Sequence, residues 1–180
     1  MYYIQSSLFY KSQNVYNFIR LVTTRKKSFS LTKTMKILRQ ENLPITDNQL
    51  YELTIEFRKE FLWPKDGSCA FEYKEDDEGM VFFLALDIDT NNLEGMVCYD
   101  PKTNRLRQLI ISPKCQGRGI GTNLVKHTKN EARRHGKNNL RVNAWMDSLN
   151  FYLKRGFILI DDPYLSKGVW CQKLELQINS

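Results

Sequence analysis

The sequence predicts a mixed α/β (α+β) domain built on one central sheet. Three observations carry that expectation. Short apolar runs of strand length alternate with segments of helical periodicity, in the order strand, helix, three strands, helix, strand, helix, two strands. Glycine or proline punctuates most of the junctions. The composition is that of a globular chain, 42% hydrophobic and 26% charged over 180 residues, which is neither disordered nor collagenous. A chain of this size makes one domain, or one domain with an appendage.

Taken in order, Met35–Gln40 reads as a first strand. Thr46 with Gln49 three residues later forms a capping box, and Leu50, Leu53, Phe57 and Phe61 then recur at helical spacing until Pro64. Gly67 to Gly79 is loop or edge structure, with Glu75, Asp76, Asp77 and Glu78. Met80–Ile88 is a strong strand, with Thr90–Asn92 as a turn and Gly95–Tyr99 as the next strand. After a turn at Asp100–Asn104 comes the strand Leu106–Ser112, stopped by Pro113. A long helix runs from Gly119 to His135, with Gly136 at the C′ position. Leu140–Ala144 is a strand. Asp147 or Ser148 caps a short helix to Arg155, ended by Gly156. Phe157–Ile160 and Val169–Leu176 are the last two strands. The longest apolar run, Met80–Leu86, has seven residues, and roughly 18 are needed to cross a bilayer as a helix.

The charge is unevenly placed. Lys and Arg number 27 against 20 Asp and Glu, for a net of +7. Residues 1–40 contain no acid and eight basic residues. Residues 41–100 hold four basic and 15 acidic residues, and 101–180 hold 15 basic and five acidic. A basic arm thus precedes an acidic half and a basic half. Such polarity suits two ligands of opposite sign better than one extended polyanion. The acid-free segment 1–34 is read as a basic extension ahead of a compact domain at 35–180. It is an arm, an upstream extension or a transit segment. Cys69, Cys98, Cys115 and Cys171 are widely spaced and only two histidines occur. That pattern offers no clustered metal ligands and fits free thiols in a reducing compartment.

The segment Leu106–Gly121 carries the chemistry. A buried strand runs into a glycine-rich turn that opens a helix, an arrangement in which backbone N–H groups and the helix dipole favour an anion. The ATP-type loop requires Lys after its last glycine, and Thr122 stands there. The dinucleotide fingerprint requires a different spacing from that of Gly117, Gly119 and Gly121. Gln116-Gly117-Arg118-Gly119-Ile120-Gly121 instead resembles the Q/R-x-x-G-x-G/A acetyl-CoA motif of the GNAT N-acetyltransferase superfamily. A second segment, Leu140 to Phe157, is similar to the strand and helix of that family that end in a Tyr-x-Lys-x-Gly-Phe-like run. The resemblance covers roughly residues 35–178.

The resemblance implies the GNAT fold. Its mixed sheet has about six to seven strands flanked by about four helices, and a splayed strand pair holds acetyl-CoA. It implies that the CoA pyrophosphate rests on backbone N–H groups of Gln116, Gly117, Arg118, Gly119, Ile120, Gly121 and Thr122. The pantetheine arm would pair along Leu109 and Ile111, and a backbone N–H near Leu109 or Ile110 would hold the thioester carbonyl. Tyr152 matches the general-acid tyrosine, a type suited to protonating a thiolate because a phenol keeps its proton at neutral pH. No metal is expected.

Two features depart from the family pattern. Trp145 and Ser148 stand where an amide side chain and an alanine are frequent, and Leu106–Ser112 carries no carboxylate, with Arg105, Arg107 and Gln108 standing where some members of the family place a general base. Glu56, Asp87, Asp89 and Asp100 are the candidate bases. The function expected is acetyl transfer from acetyl-CoA to a primary amine, a cationic small molecule or a peptide amine, by direct attack in a ternary complex. The alternative is a catalytically silent acetyl-CoA-binding regulatory module. Nucleic-acid binding is set aside, because aromatics interleave only loosely with the basic arm. No membrane partner is expected, a homodimer stays open, and the location read is cytoplasmic, or mitochondrial if the arm is a transit peptide.

Overall fold

The computed structural model describes residues 35–41, 43, 47–62, 77–166 and 168–178. The elements are β1 (Met35–Glu41), α1 (Asn48–Phe61), β2 (Val81–Asp87), β3 (Leu93–Asp100), β4 (Arg105–Ile111), α2 (Ile120–Arg134), β5 (Asn139–Trp145), α3 (Leu149–Leu153), β6 (Ile158–Leu159), β7 (Tyr164–Ser166) and β8 (Val169–Gln177). They form one eight-stranded sheet in the order β1-β2-β3-β4-β5-β8-β6, with β7 paired to β8. Among the described residues every pairing is antiparallel except β4 with β5.

The mixed architecture matches expectation, with small differences in number. The described residues contain three α-helices rather than about four, and one more strand than the upper expectation. The extra strand is β7, three residues just after Pro163, which pairs with β8 across Gly168 at φ 79°. It is too short and too exposed to show a period of two. The cap of α1 is Asp47 rather than Thr46, and its carboxylate accepts the Leu50 N–H at 2.9 Å. Aspartate is as good an N-cap as threonine, and here the turn begins one residue later. Thr46, Pro64, the loop acids Glu75 and Asp76, and the extension 1–34 lie outside the described residues.

Two cores lie on opposite faces of the sheet, and β2 shows why. All seven of its residues are buried. Val81, Phe83 and Ala85 join the α2-side core, while Phe82, Leu84 and Leu86 join the α1-side core. Successive strand side chains point to opposite faces, so a strand covered on both sides must be apolar throughout. Burying each large side chain contributes about 1.5–3 kcal/mol.

Polar ties fix the helices to this sheet. Arg39 of β1 grips Glu131 of α2 with two nitrogens at 2.8 and 2.6 Å. Arg58 of α1 is fully buried against Asp77, whose carboxylate also accepts the Tyr51 hydroxyl at 3.0 Å. Arg58 also sits 5.5 Å from the Phe82 ring centre, and the aromatic face offsets part of its desolvation.

Candidate active site

The site starts where β4 leaves β5. The two strands pair in parallel only at Arg105↔Arg141 and Leu106↔Val142. Beyond that point β4 carries a bulge, because its register with β3 shifts between Met96 and Cys98, so that Gln108 and Leu109 together oppose Val97. Gln108 has φ 53°, a left-handed conformation that a non-glycine residue adopts at a cost. A bulge bends its strand and increases the local twist. Here it accompanies the divergence from β5, and the edge of β4 from Arg107 to Ile111 is left without a ladder partner on the β5 side. Such an edge can accept an extended ligand as an added strand. Leu109 and Ile111 are half-buried and pack on the α2-side core, whereas Ile110 is buried on the α1 side. Cys98 Sγ lies 3.4 Å from Gln108 Oε1 beneath the bulge, and burial pushes its thiol pKa up to about 12.

The strand ends in the glycine turn. Pro113–Cys115 forms one turn of 3-10 helix, and Gly117 and Gly119 follow at φ 75° and 80°. A Cβ at either glycine would meet nothing within 4 Å, so their carbon faces are open to solvent. Gly119 is the N-cap of α2, the helix has no side-chain cap and its first turn contains no acid. The N–H groups of Gly117, Arg118 and Gly119 donate to no backbone carbonyl among the described residues. Those of Ile120, Gly121 and Thr122 are the helix's own orphan donors. An anion-sized set of donors is therefore gathered in one place, on residues that are exposed at Gly117, Arg118, Gly119 and Thr122 and buried at Ile120 and Gly121, with the positive end of the helix dipole behind it.

Gln116 already has partners for its donors. Its backbone N–H already bonds the Pro113 carbonyl at 3.3 Å, and its side-chain amide donates to Ile111 O at 3.2 Å. The run of N–H groups without a backbone acceptor therefore begins at Gly117. Lys114, near the turn in sequence, is also engaged: its Nζ lies 3.0 Å from Glu94.

Glu94 anchors the root of the turn. It is fully buried on β3 and accepts the Ser112 hydroxyl at 2.6 Å, with Cys115 Sγ at 3.4 Å. Burial disfavours the Glu94 carboxylate, but the bonds from Ser112, Lys114 and Cys115 outweigh it and hold its pKa below the usual range.

The floor of the site comes from α3. Gly121 is buried so close to Phe151 that a Cβ would sit 3.1 Å from the ring. Arg155 stacks on the same ring at 3.4 Å, bonds Thr122 Oγ1 at 3.1 and 2.6 Å and donates to the Phe151 carbonyl. No carboxylate pairs with it among the described residues. Arg155 carries no motif of its own in the sequence, and only the fold sets it beside Thr122. Tyr152 is 5% exposed, with ring centres 5.1 Å from Phe151 and 5.4 Å from Phe157. It belongs to the same core as Cys115 and Ile120. Burial raises its pKa well above that of a free phenol, only partly opposed by Arg155.

The candidate bases separate. Asp87 Oδ1 accepts the Asp89 and Thr90 N–H groups at 3.0 Å each. Asp100 accepts Lys102 N at 2.9 Å, Thr103 N at 3.2 Å and the Thr103 hydroxyl at 2.6 Å. Both are turn-capping carboxylates. Glu56 and Asp89 are exposed.

An open strand edge leading into an exposed anion cradle, with a buried phenol in the adjoining core, is the layout of a CoA-dependent acyltransferase fold. Comparison with known proteins gives the family. The acetyltransferase (GNAT) domain profile matches residues 49–178, and the chain belongs to that family. Among solved structures, an acyl-CoA N-acyltransferase from Pseudomonas aeruginosa superposes with a TM-score of 0.64 at 17% identity, covering 79% of this chain and 99% of the other. Escherichia coli ElaA superposes with a TM-score of 0.65 at 18% identity, covering 80% and 100%. A GNAT-family acetyltransferase from Staphylococcus aureus gives 0.60 at 13%, covering 81% and 100%. At these identities the likeness is one of fold. No curated protein matches the chain in sequence.

Proposed function

We propose that this chain transfers the acetyl group of acetyl-CoA to a primary amine of a small molecule or peptide, by direct attack within a ternary complex. The observation that carries this reading is the run of unpartnered N–H groups from Gly117 to Thr122 at the end of a strand whose β5-side edge is open. Those groups fit the CoA pyrophosphate, and the β4 edge at Leu109 and Ile111 fits the pantetheine arm. A backbone N–H at Leu109 or Ile110 is the donor assigned to the thioester carbonyl, where negative charge develops. The amine attacks that carbon, the C–S bond breaks, and the departing thiolate takes the Tyr152 proton. Its raised pKa keeps the phenol protonated at neutral pH.

The base is not one of the turn-capping aspartates on this reading; a water chain removes the amine proton. Unpaired cysteines Cys98, Cys115 and Cys171 favour a reducing, cytoplasmic location, with mitochondria the alternative. The test is thiol release from acetyl-CoA against an amine panel, with Tyr152→Phe alongside. The expected outcome is amine-dependent release that falls about 10²-fold or more in kcat for the variant, with acetyl-CoA affinity retained. Tight acetyl-CoA binding with no amine-dependent release would favour the silent regulatory module, and near-normal turnover of the variant would remove Tyr152 from the chemistry.

A further inference from the structure

The geometry points to the class of amine: we infer that the acceptor is a free amino acid whose carboxylate is bound by Arg105. This rests on the acetyl-transfer reading above. The cofactor would lie along β4 from the glycine turn to the bulge, so the amine must approach from beyond the bulge, at the closed end of the splay. That end is the junction Arg105↔Arg141 and Leu106↔Val142. Leu106 and Val142 point into the α2-side core. By strand alternation Arg105 and Arg141 face the other way, and the register puts Asn143 and Lys173 on that same face.

A cavity of about 110 Å³ opens there, lined by Arg105, Arg141, Asn143, Asp161 and Lys173 among others. Its charges are unequal. Arg141 is bound by Glu175 at 3.0 Å and Lys173 by Asp161 at 2.9 Å. The side chain of Arg105, half-buried, makes no hydrogen bond or ion pair among the described residues. Arg107, two residues on and on the same face, is 3.9 Å from Asp100, a carboxylate already occupied by its turn. The surplus is one guanidinium, whose planar fork matches a carboxylate.

The scale fits. Three residues separate Arg105 from the bulge at Gln108, about 10 Å along a strand, and the arginine side chain shortens that span. An amino acid held by its carboxylate could then present its amine at the bulge. A polycation would meet Arg105 and Arg107 unfavourably. Two arginines on this face thus disfavour the cationic amines that the net charge of residues 41–100 suggests.

The experiment uses the full chain with acetyl-CoA. Glycine, β-alanine, glutamate and lysine are each compared with their carboxamides and with spermidine. The acids should exceed their amides by about 10-fold or more in kcat/KM. Arg105→Gln should raise KM for the acids by a similar factor, leave KM for acetyl-CoA unmoved and affect the amides far less, while Arg105→Lys should recover part of the loss. Equal rates on acids and amides, preference for spermidine, or a uniform loss in Arg105→Gln would each overturn the inference. Calorimetric titration of the same amino acids into CoA-saturated protein reads binding without turnover, and absence of binding by any of them also overturns it. Failure to bind acetyl-CoA would show in its own titration as failure of the parent reading.

Discussion

Arg155 joins α3 to the first turn of α2, beside the glycine turn. Its guanidinium bonds Thr122 in the first turn of α2 and stacks on Phe151 of α3, the ring that touches Gly121. Burial lowers its pKa, and no carboxylate among the described residues offsets that. A cation half-withdrawn from water, beside exposed N–H donors, gains from a phosphate nearby. Arg155→Ala should weaken acetyl-CoA binding by about 10-fold, the scale of one charge-assisted bond, and calorimetry would read it. Stability should fall by about 1 kcal/mol from the lost stacking and hydroxyl bonds. An unchanged affinity would mean that Arg155 serves packing alone. Nothing in the sequence around Arg155 marks this role, because Thr122 lies 33 positions away.

At the scale of elements the decisive feature is the bulge of β4. Gln108 occupies a conformation that glycine adopts freely and β-branched residues resist. Gln108→Gly should therefore be neutral or stabilising within about 1 kcal/mol, whereas Gln108→Val should cost about 1–3 kcal/mol in urea unfolding. If the bulge holds the splay, Gln108→Val should also lose acetyl-CoA affinity. A valine variant of normal stability and affinity would show that the strands diverge without it. The elements themselves were largely legible: β2, β3, β4, α2, β5 and β8 fall within about two residues of their sequence-derived bounds, because apolar periodicity and glycine stops report burial directly. The bulge was not legible. Leu106–Ser112 reads as a continuous strand, and the extra residue shows only against the register of β3.

Across the whole molecule, charge is organised by burial more than by net count. The acidic half contributes much of its carboxylate to internal bonds: Asp47 caps α1, Asp77 binds Arg58, and Glu94 roots the glycine turn. Glu131, from the basic half, binds Arg39 across the sheet and also receives Arg134. The bonds from Arg39 lower its pKa despite burial, and Glu94 is lowered likewise. Groups depressed in the fold bind fewer protons than in the unfolded chain, so stability is full above their ordinary pKa, about 4.5. It is lost as pH falls through the folded values. The melting temperature should therefore drop below about pH 4.5. Glu131→Gln and Glu94→Gln should each cost about 1–3 kcal/mol at pH 7 and flatten that acid limb. A limb unchanged in both variants would assign acid lability to other groups.

The sequence by itself determined the sheet-and-helix order, the glycine turn and the position of Tyr152, because these follow from local spacing and backbone chemistry. It also supported the family, since both motifs are contiguous in the chain. Tertiary structure alone decided which charges are free. Lys114, near the turn in sequence, is bound to Glu94, whereas the side chain of Arg105, at a position where the family resemblance would admit a base, is in no ion pair among the described residues. Pairing depends on which strands lie side by side, and β4 meets β5 only after α2 has crossed between them. A one-dimensional charge count cannot contain that neighbourhood, because it holds no record of which strands become neighbours.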